Sequence, residues 1–219
     1  HMLGGDGVTL DAGDGPLSLA TGPASVSALA VSPDGSMLAA GTKRGELHVW
    51  RRSGGAWAGQ DGLPDPLAGW LDTIAFSPDG RHVVVNETHA RRLTRFRLLP
   101  GPRLTERETL WQFAPGDQPD GVCFDAYGGI WVSCIVSNRV YVVRPDGGCQ
   151  CVLADTDAAH LARYLDDLQA RRLDRDSIWT CGNSVLGNVS SLCFAGADRR
   201  TVLLGSLLGG GSGAGGIAG

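Results

Sequence analysis

Three carboxylates lie where apolar runs begin or end. At such positions a side chain can bind a cation or take part in catalysis. Asp72 and Asp120 each lie at the start of such a run, and Glu87 closes another. Carboxylate oxygens are the ligands that hard divalent cations prefer. Each residue also has a plainer interpretation: Asp120 lies in a Pro-Asp-Gly turn, Asp72 could cap a strand-entry loop, and Glu87 could be a solvated strand residue.

The cysteines and serines offer no comparable site. None of the six cysteines forms a Cys-x-x-Cys pair, and Cys149-Gln150-Cys151 has no matching His or Cys pair at zinc-finger spacing, so a structural zinc site is not expected. Ser190 and Ser191 lack the Gly-x-Ser-x-Gly setting of a serine hydrolase. A reduced, cytoplasmic chain is the simplest interpretation of the cysteines, although the sequence leaves a disulfide open.

Charge and hydropathy exclude two classes of partner. The 219 residues include 19 Lys and Arg against 23 Asp and Glu, which gives a net charge of -4 without any basic run. Such a chain offers no electrostatic footprint for nucleic acid. No apolar window approaches the roughly 20 residues that span a bilayer, and the N-terminus lacks the order of a secretory signal. We therefore expect no nucleic-acid partner, no membrane partner and a cytoplasmic location.

A repeated plan dominates the sequence. Four segments contain an apolar run, a tight turn and a second apolar run, and they begin at Val26, Leu71, Asp120 and Val189. In the first two copies the turn is Ser-Pro-Asp-Gly, in which Pro fixes φ, Asp bonds local backbone and Gly accepts positive φ. Each copy therefore predicts two strands joined by a turn.

The spacing of the copies predicts the fold class. Equivalent positions Val31, Phe76, Phe124 and Phe194 are 45, 48 and 70 residues apart, which is similar to the four-stranded blades of a β-propeller. A β-sandwich is the alternative, but it has no reason to repeat one turn at one place in its period. The prediction is an all-β propeller with four to five recognisable blades, either a small ring or an incomplete six-bladed one.

The longest gap between copies holds a predicted helical insertion at about 155–180. Leu161, Leu165 and Leu168 share one face of a helix that runs from Asp157 to about Arg172. Its role is either a packing cover or a partial lid over a pocket. The remaining divisions are an N-terminal segment 1–20 with weak strands, a propeller domain 21–208 and a flexible Gly-rich tail 209–219.

Three stretches carry a family resemblance. Residues 72–80, 85–96 and 119–132 resemble the SMP-30/gluconolactonase/LRE family, and residues 188–208 are similar to the C-terminal part of one bacterial branch of it. The resemblance covers about residues 67–208. The first repeat, which ends at Trp50, looks equally like a WD40 blade and does not discriminate.

The resemblance implies a six-bladed propeller that holds one divalent cation, commonly Ca²⁺ or Zn²⁺, in its channel and hydrolyses a lactone. Asp120 matches the family's ligand in Pro-Asp-Gly, and Asp72 occupies the position of its strand-opening Asn. The early Glu ligand of the family has no match in residues 1–30. Glu87 is a further residue that could line the channel.

These observations lead to one functional hypothesis and one rival. The first is a metal-dependent hydrolase of the gluconolactonase type that acts on a small lactone or ester, with Asp72 and Asp120 as ligands and Asp120 as the general base. The rival is a WD40-like or degenerate propeller that serves as a binding module, or an inactive fragment. Too few blades would leave open strand edges, which predicts self-association.

Overall fold

A computed structural model describes residues 2–3, 7–11, 16–21, 23–60, 63, 65–101, 103–174, 177–207 and 217–218. The chain divides into two compact units, His1–Thr109 and Leu110–Gly219. Within the described ranges the strands form three four-stranded and two three-stranded sheets, and consecutive strands lie side by side in each sheet. The sheets are named A to E in chain order.

The first unit contains sheets A and B and most of sheet C. Sheet A consists of β1 (Met2–Leu3), β2 (Gly7–Asp11) and β3 (Pro16–Ala20). Sheet B consists of β4 (Val26–Val31), β5 (Met37–Thr42), β6 (Leu47–Ser53) and β7 (Ala56–Gln60). Sheet C consists of β8 (Leu71–Phe76), β9 (His82–Glu87), β10 (Arg92–Leu99) and β11 (Arg103–Gln112).

The second unit contains sheets D and E and the helical segment between them. Sheet D consists of β12 (Asp117–Phe124), β13 (Ile130–Val136), β14 (Arg139–Val143) and β15 (Cys149–Ala154). The helix α1 (Ala158–Gln169) and a 3₁₀ turn (Ser177–Trp179) follow. Sheet E consists of β16 (Val189–Ala195), β17 (Thr201–Ser206) and β18 (Ile217–Ala218). The prediction of an all-β chain with one helical insertion is confirmed.

Neighbouring sheets of a unit pack through the apolar residues of their facing strands. Leu47, Val85 and Phe96 lie in one core between sheets B and C, and each is 0% exposed. Leu19 of sheet A packs with Trp50 of sheet B. Trp50 therefore packs between sheets, as its position in the repeat predicts.

In the second unit, sheet E packs on sheet D and the helix packs on β13. Val140 and Leu192 belong to the core that joins the two sheets. Tyr164 of α1 is 5% exposed and packs against Ile135 and Val136, together with the leucines of the helix face. The helix thus packs as a cover would, and its second predicted role, a partial lid over a pocket, stays a prediction.

The predicted turns form through the chemistry that their sequence suggests. Gly35 and Gly80 adopt positive φ of 69° and 68°. Asp34 accepts hydrogen bonds from the Ser36 backbone N–H and from the Ser32 hydroxyl, at 3.0 and 2.6 Å. Asp79 does the same in the second copy. These aspartates therefore stabilise turns.

The two ends of the chain are described only in part. Strands β2 and β3 overlap the two weak strand candidates of residues 1–20. The predicted flexible tail lies outside the described residues except for the short β18. Among the described residues, no helix has both the length and the apolar character that crossing a membrane requires.

Candidate functional site

The first strand of each repeat carries a β-bulge at the same place. Strands β4, β8, β12 and β16 each shift register against the strand that follows, four residues before the equivalent positions Val31, Phe76, Phe124 and Phe194. A bulge leaves its extra residue unpaired and re-aims its side chain. The residues at the four shifts are Ser27, Asp72, Asp120 with Gly121, and Ser190. Both predicted ligands thus occupy one structural position of the repeat.

In the first unit, the bulge of β4 lies against that of β8. The Ser27 hydroxyl donates to the Leu71 carbonyl oxygen at 2.9 Å, directly before Asp72. Ser27 also reaches the Gly41 carbonyl at 3.4 Å. Both Ser27 and Asp72 are half-buried. A serine and an aspartate of neighbouring sheets therefore lie together, and the sequence argument missed the serine.

In the second unit, the bulge of β12 lies against that of β16. The Gly121 backbone N–H donates to the Ser133 hydroxyl at 3.1 Å. A Cβ at Gly121 would lie 2.6 Å from that hydroxyl and 2.8 Å from the Ser190 carbonyl oxygen. Only glycine therefore fits after Asp120, and this glycine brings Asp120 next to Ser190. Asp120 and Ser190 are also half-buried.

The two predicted ligands belong to different units. Asp72 lies on β8 of the first unit, and Asp120 lies on β12 of the second. That they share one cation stays a prediction. Each is the sequence neighbour of a residue that lies against a bulge serine of its own unit: Ser27 binds the carbonyl of Leu71, and Ser190 lies against Gly121.

Glu87 is a buried carboxylate held by the protein's own donors. It is 0% exposed, so the solvated-strand interpretation is wrong. Arg92 donates through Nε at 2.8 Å and Nη2 at 2.5 Å, the Ala68 N–H donates at 2.9 Å, and the Thr94 hydroxyl also donates. Burial by itself raises the pKa of Glu87, but these hydrogen bonds outweigh it and the pKa is lowered. Glu87 therefore anchors the Ala68 loop, and its role in lining a channel stays a prediction.

A second buried carboxylate, Asp117, escaped the sequence argument. It is 2% exposed and accepts from Arg139 Nη1 at 3.2 Å and from the Tyr141 hydroxyl at 2.9 Å. Burial, followed by this contact, raises the pKa of Tyr141. One sequence feature could have pointed to a buried acid here. Arg139 and Tyr141 are two residues apart in a strand, so both side chains lie on one face of β14 and can share a partner.

The oxygen donors near Asp120 suit a hard cation. Gln118, two residues earlier on β12, is 5% exposed, and its Oε1 has no hydrogen-bond partner within the described part of the chain. A buried amide oxygen without a donor fits a site for a cation or an ordered water. In the same described part, no three His, Cys, Asp or Glu side chains group together as a metal site. Of the β12 side chains, Gln118 and Asp120 could each offer an oxygen to a cation.

Both aspartates lie in a stretch that a known family shares. Residues 65–160 match the SMP-30/Gluconolactonase/LRE-like region. The resemblance stated from the sequence is therefore confirmed over the stretch that contains Asp72, Glu87 and Asp120. No curated protein matches the chain.

Solved structures similar to the chain include a β-propeller domain and an enzyme. A protein from Lactobacillus plantarum superposes with a TM-score of 0.60 at 14% identity, over 90% of this chain and 53% of its own. A luciferin-regenerating enzyme gives 0.56 at 14%, over 88% and 58%. The β-propeller domain of Myceliophteria thermophila Cps50 (Swd1) gives 0.57 at 9%, over 87% and 52%.

These likenesses establish the fold. At such identities they support the β-propeller alone, which confirms the predicted fold class. The chain spans about half the length of these structures, at 53%, 58% and 52% of each. The SMP-30/gluconolactonase/LRE-like region runs from just before sheet C into the helix α1.

Proposed function

We propose that this protein is a metal-dependent hydrolase of the gluconolactonase type, acting on a small lactone or ester. The observation that carries the proposal is the pair of aspartates at equivalent bulges, Asp72 and Asp120, both inside the family-matched stretch. Carboxylate and amide oxygens favour Ca²⁺, and Zn²⁺ is the other candidate. A divalent ion bound there would polarise the substrate carbonyl and lower the pKa of a bound water.

The aspartates and the bulge serines have different roles in this proposal. Asp120 and Asp72 would each offer a negative oxygen to a cation, and Asp120 would accept the proton of the attacking water. Within the part of the chain that the structure describes, the Ser190 hydroxyl makes only a long contact of 3.5 Å to the Gly205 carbonyl oxygen, so it can turn to a substrate oxygen. Ser27 is less available because its hydroxyl donates to the Leu71 carbonyl.

A non-catalytic binding propeller is the second candidate. It is favoured by Glu87 and Asp117, two buried acids of the family-matched stretch whose oxygens are taken up by Arg92, Arg139 and other donors of the chain. Acids used in this way stabilise a fold and leave nothing for a substrate. The hydrolysis assay below separates the two candidates.

The proposed partners and location follow the same hypothesis. The partner is a small lactone or ester, and neither nucleic acid nor membrane is proposed. Six unpaired cysteines support a reducing cytoplasm as the location. Self-association through open strand edges is also proposed; sedimentation as a monomer at high concentration would contradict it.

The test compares wild type with Asp120→Asn in δ-gluconolactone hydrolysis with added Ca²⁺, Mn²⁺ or Zn²⁺. Loss of the proton acceptor should lower the rate at least about 100-fold. Asp146→Asn is the matched control, since Asp146 is an exposed turn residue of the same unit. Calorimetric titration of each metal reports binding separately. Equal rates in the two variants would exclude the proposed role of Asp120.

A further inference from the structure

A cleft between sheets B and C of the first unit lies apart from the bulge residues. It runs along the edge where the two Ser-Pro-Asp-Gly turns lie, and it has two adjoining parts of about 180 and 320 Å³. Met37, Arg51 and Gly80 line both parts. The larger part reaches the lower end of the size range of small-molecule sites.

Three arginines line the larger part of the cleft. They are Arg51, Arg81 and Arg97. Arg97 forms an exposed ion pair with Glu106 at 2.9 Å. Among the described residues, no carboxylate lies within ion-pair distance of the Arg51 or Arg81 guanidinium groups. Neither guanidinium group is therefore held in an ion pair with a described residue, and the charge of Arg81 acts on the protein only through its small contribution, after that of hydrogen bonds, to lowering the pKa of Asp79.

The acidic residues of the cleft lie in its smaller part and are committed to the turns. Asp34 accepts from Ser32 and Ser36, and Asp79 accepts from Ser77 and from the Arg81 N–H. The Ser32 hydroxyl, and then Ser36, lower the pKa of Asp34 to about 2, so this carboxylate is ionised at neutral pH. Asp34 and Asp79 give the smaller part negative charge, and of the three arginines only Arg51 lines that part, so the charges would orient an anion toward the larger part.

The arginines are a feature of the repeat. Arg51 is paired with Met37, the first residue of β5, and Arg97 is paired with His82, the first residue of β9. They thus occupy equivalent positions on the third strands of successive sheets. Because the sheets pack face to face, the cleft receives one such arginine from each, and Arg81 follows the intervening turn.

We propose that this cleft is a binding site for a small organic anion with two or more carboxylates. Arg51 and Arg81 bind the carboxylates, because guanidinium groups form paired, charge-assisted hydrogen bonds to them. Met37, Leu98 and Pro100 give the carbon skeleton an apolar contact, which a bare inorganic anion would not use. The site is independent of the hydrolase hypothesis.

The test is calorimetric titration of the whole chain with citrate at low ionic strength. Wild type should bind citrate saturably, and Arg51→Gln and Arg81→Gln should each weaken binding about tenfold. Arg52→Gln is the matched control: it removes the same charge from the next residue of β6, which does not line the cleft. Its affinity should stay within about twofold of wild type.

Three results would overturn the proposal. They are the absence of saturable citrate binding to wild type, equal affinities of Arg51→Gln and Arg52→Gln, and tighter binding of pyrophosphate than of citrate. The last result would identify a phosphate site in place of a carboxylate site. Weaker binding of pyrophosphate supports the role of the apolar lining. The use of two cleft variants keeps the test valid if one of them fails to fold, as checked by circular dichroism.

Discussion

Replacing Glu87 by Gln is the sharpest test of how the first unit is held together. The carboxylate is fully buried and accepts from Arg92, Thr94 and the Ala68 N–H. The substitution keeps the volume but replaces one acceptor oxygen by an NH₂ group that must face N–H or O–H donors. It also leaves the Arg92 cation without its counter-charge.

The expected loss follows from the burial of the two partners. Breaking a buried ion pair by removing one partner costs about 3–5 kcal/mol. The Arg92 side chain is 25% exposed and keeps some contact with water, so we expect a loss near the lower end, about 3 kcal/mol. Glu108→Gln is the control on the same sheet. Glu108 forms an ion pair with Arg95, and their side chains are 53% and 38% exposed, respectively. Such exposed pairs contribute about 0–1 kcal/mol to the free energy of unfolding.

Urea unfolding followed by tryptophan fluorescence measures both variants. The reasoning is refuted if Glu87→Gln loses no more free energy of unfolding than Glu108→Gln. A pH series adds a second check. Because the folded pKa of Glu87 lies below its ordinary value of 4.5, its contribution is complete above about pH 4.5 and is lost as the pH falls through the folded pKa. The gap between wild type and variant should therefore narrow in acid, and a widening gap would contradict the assignment.

Two further substitutions probe the second unit. Gly121→Ala should destabilise by about 3 kcal/mol or prevent folding, because a Cβ meets backbone atoms of Ser190 and Ser191 at 2.8 Å; Gly148→Ala, which meets only the exposed Asp146 side chain, is its control. Asn138→Ala removes the Oδ1 that accepts from the Val189 N–H at 2.7 Å. This leaves a buried donor and should cost about 1–3 kcal/mol. Faster hydrogen exchange at Val189 would confirm the site of the effect, and unchanged exchange would contradict it.

The turns and the repeat could be predicted from the sequence because their chemistry is local. In the first copy, Asp34 bonds residues two positions away on either side, and Gly35 adopts positive φ in place. The partners of the turn aspartate therefore lie within the Ser-Pro-Asp-Gly motif or at the residue that follows it. The helix start is equally local, since Asp157 caps it by accepting from the His160 N–H.

The bulges and the buried carboxylates could not be predicted, because their partners are distant in sequence or depend on register. The Ala68 N–H that binds Glu87 is 19 residues away, and Arg139 is 22 residues from Asp117. A bulge is visible only when both strands of a pair are in place. The alignment of the repeats places Ser27 and Ser190 at the position of Asp72 and Asp120, four residues before each equivalent position, but it does not show the bulge that re-aims their side chains.

The backbone of the bulge does not require an aspartate. Serine occupies the same bulge in the first and fourth repeats, so the backbone forms without a carboxylate. A half-buried charge costs desolvation unless a partner compensates it. Asp72→Ser should therefore keep the free energy of unfolding within about 1 kcal/mol, while abolishing calorimetric Ca²⁺ binding and lactone hydrolysis. A loss of stability as large as that of Glu87→Gln would mean instead that Asp72 supports the fold. The charge of Asp72 would then be explained by stability, and its assignment to catalysis would be refuted.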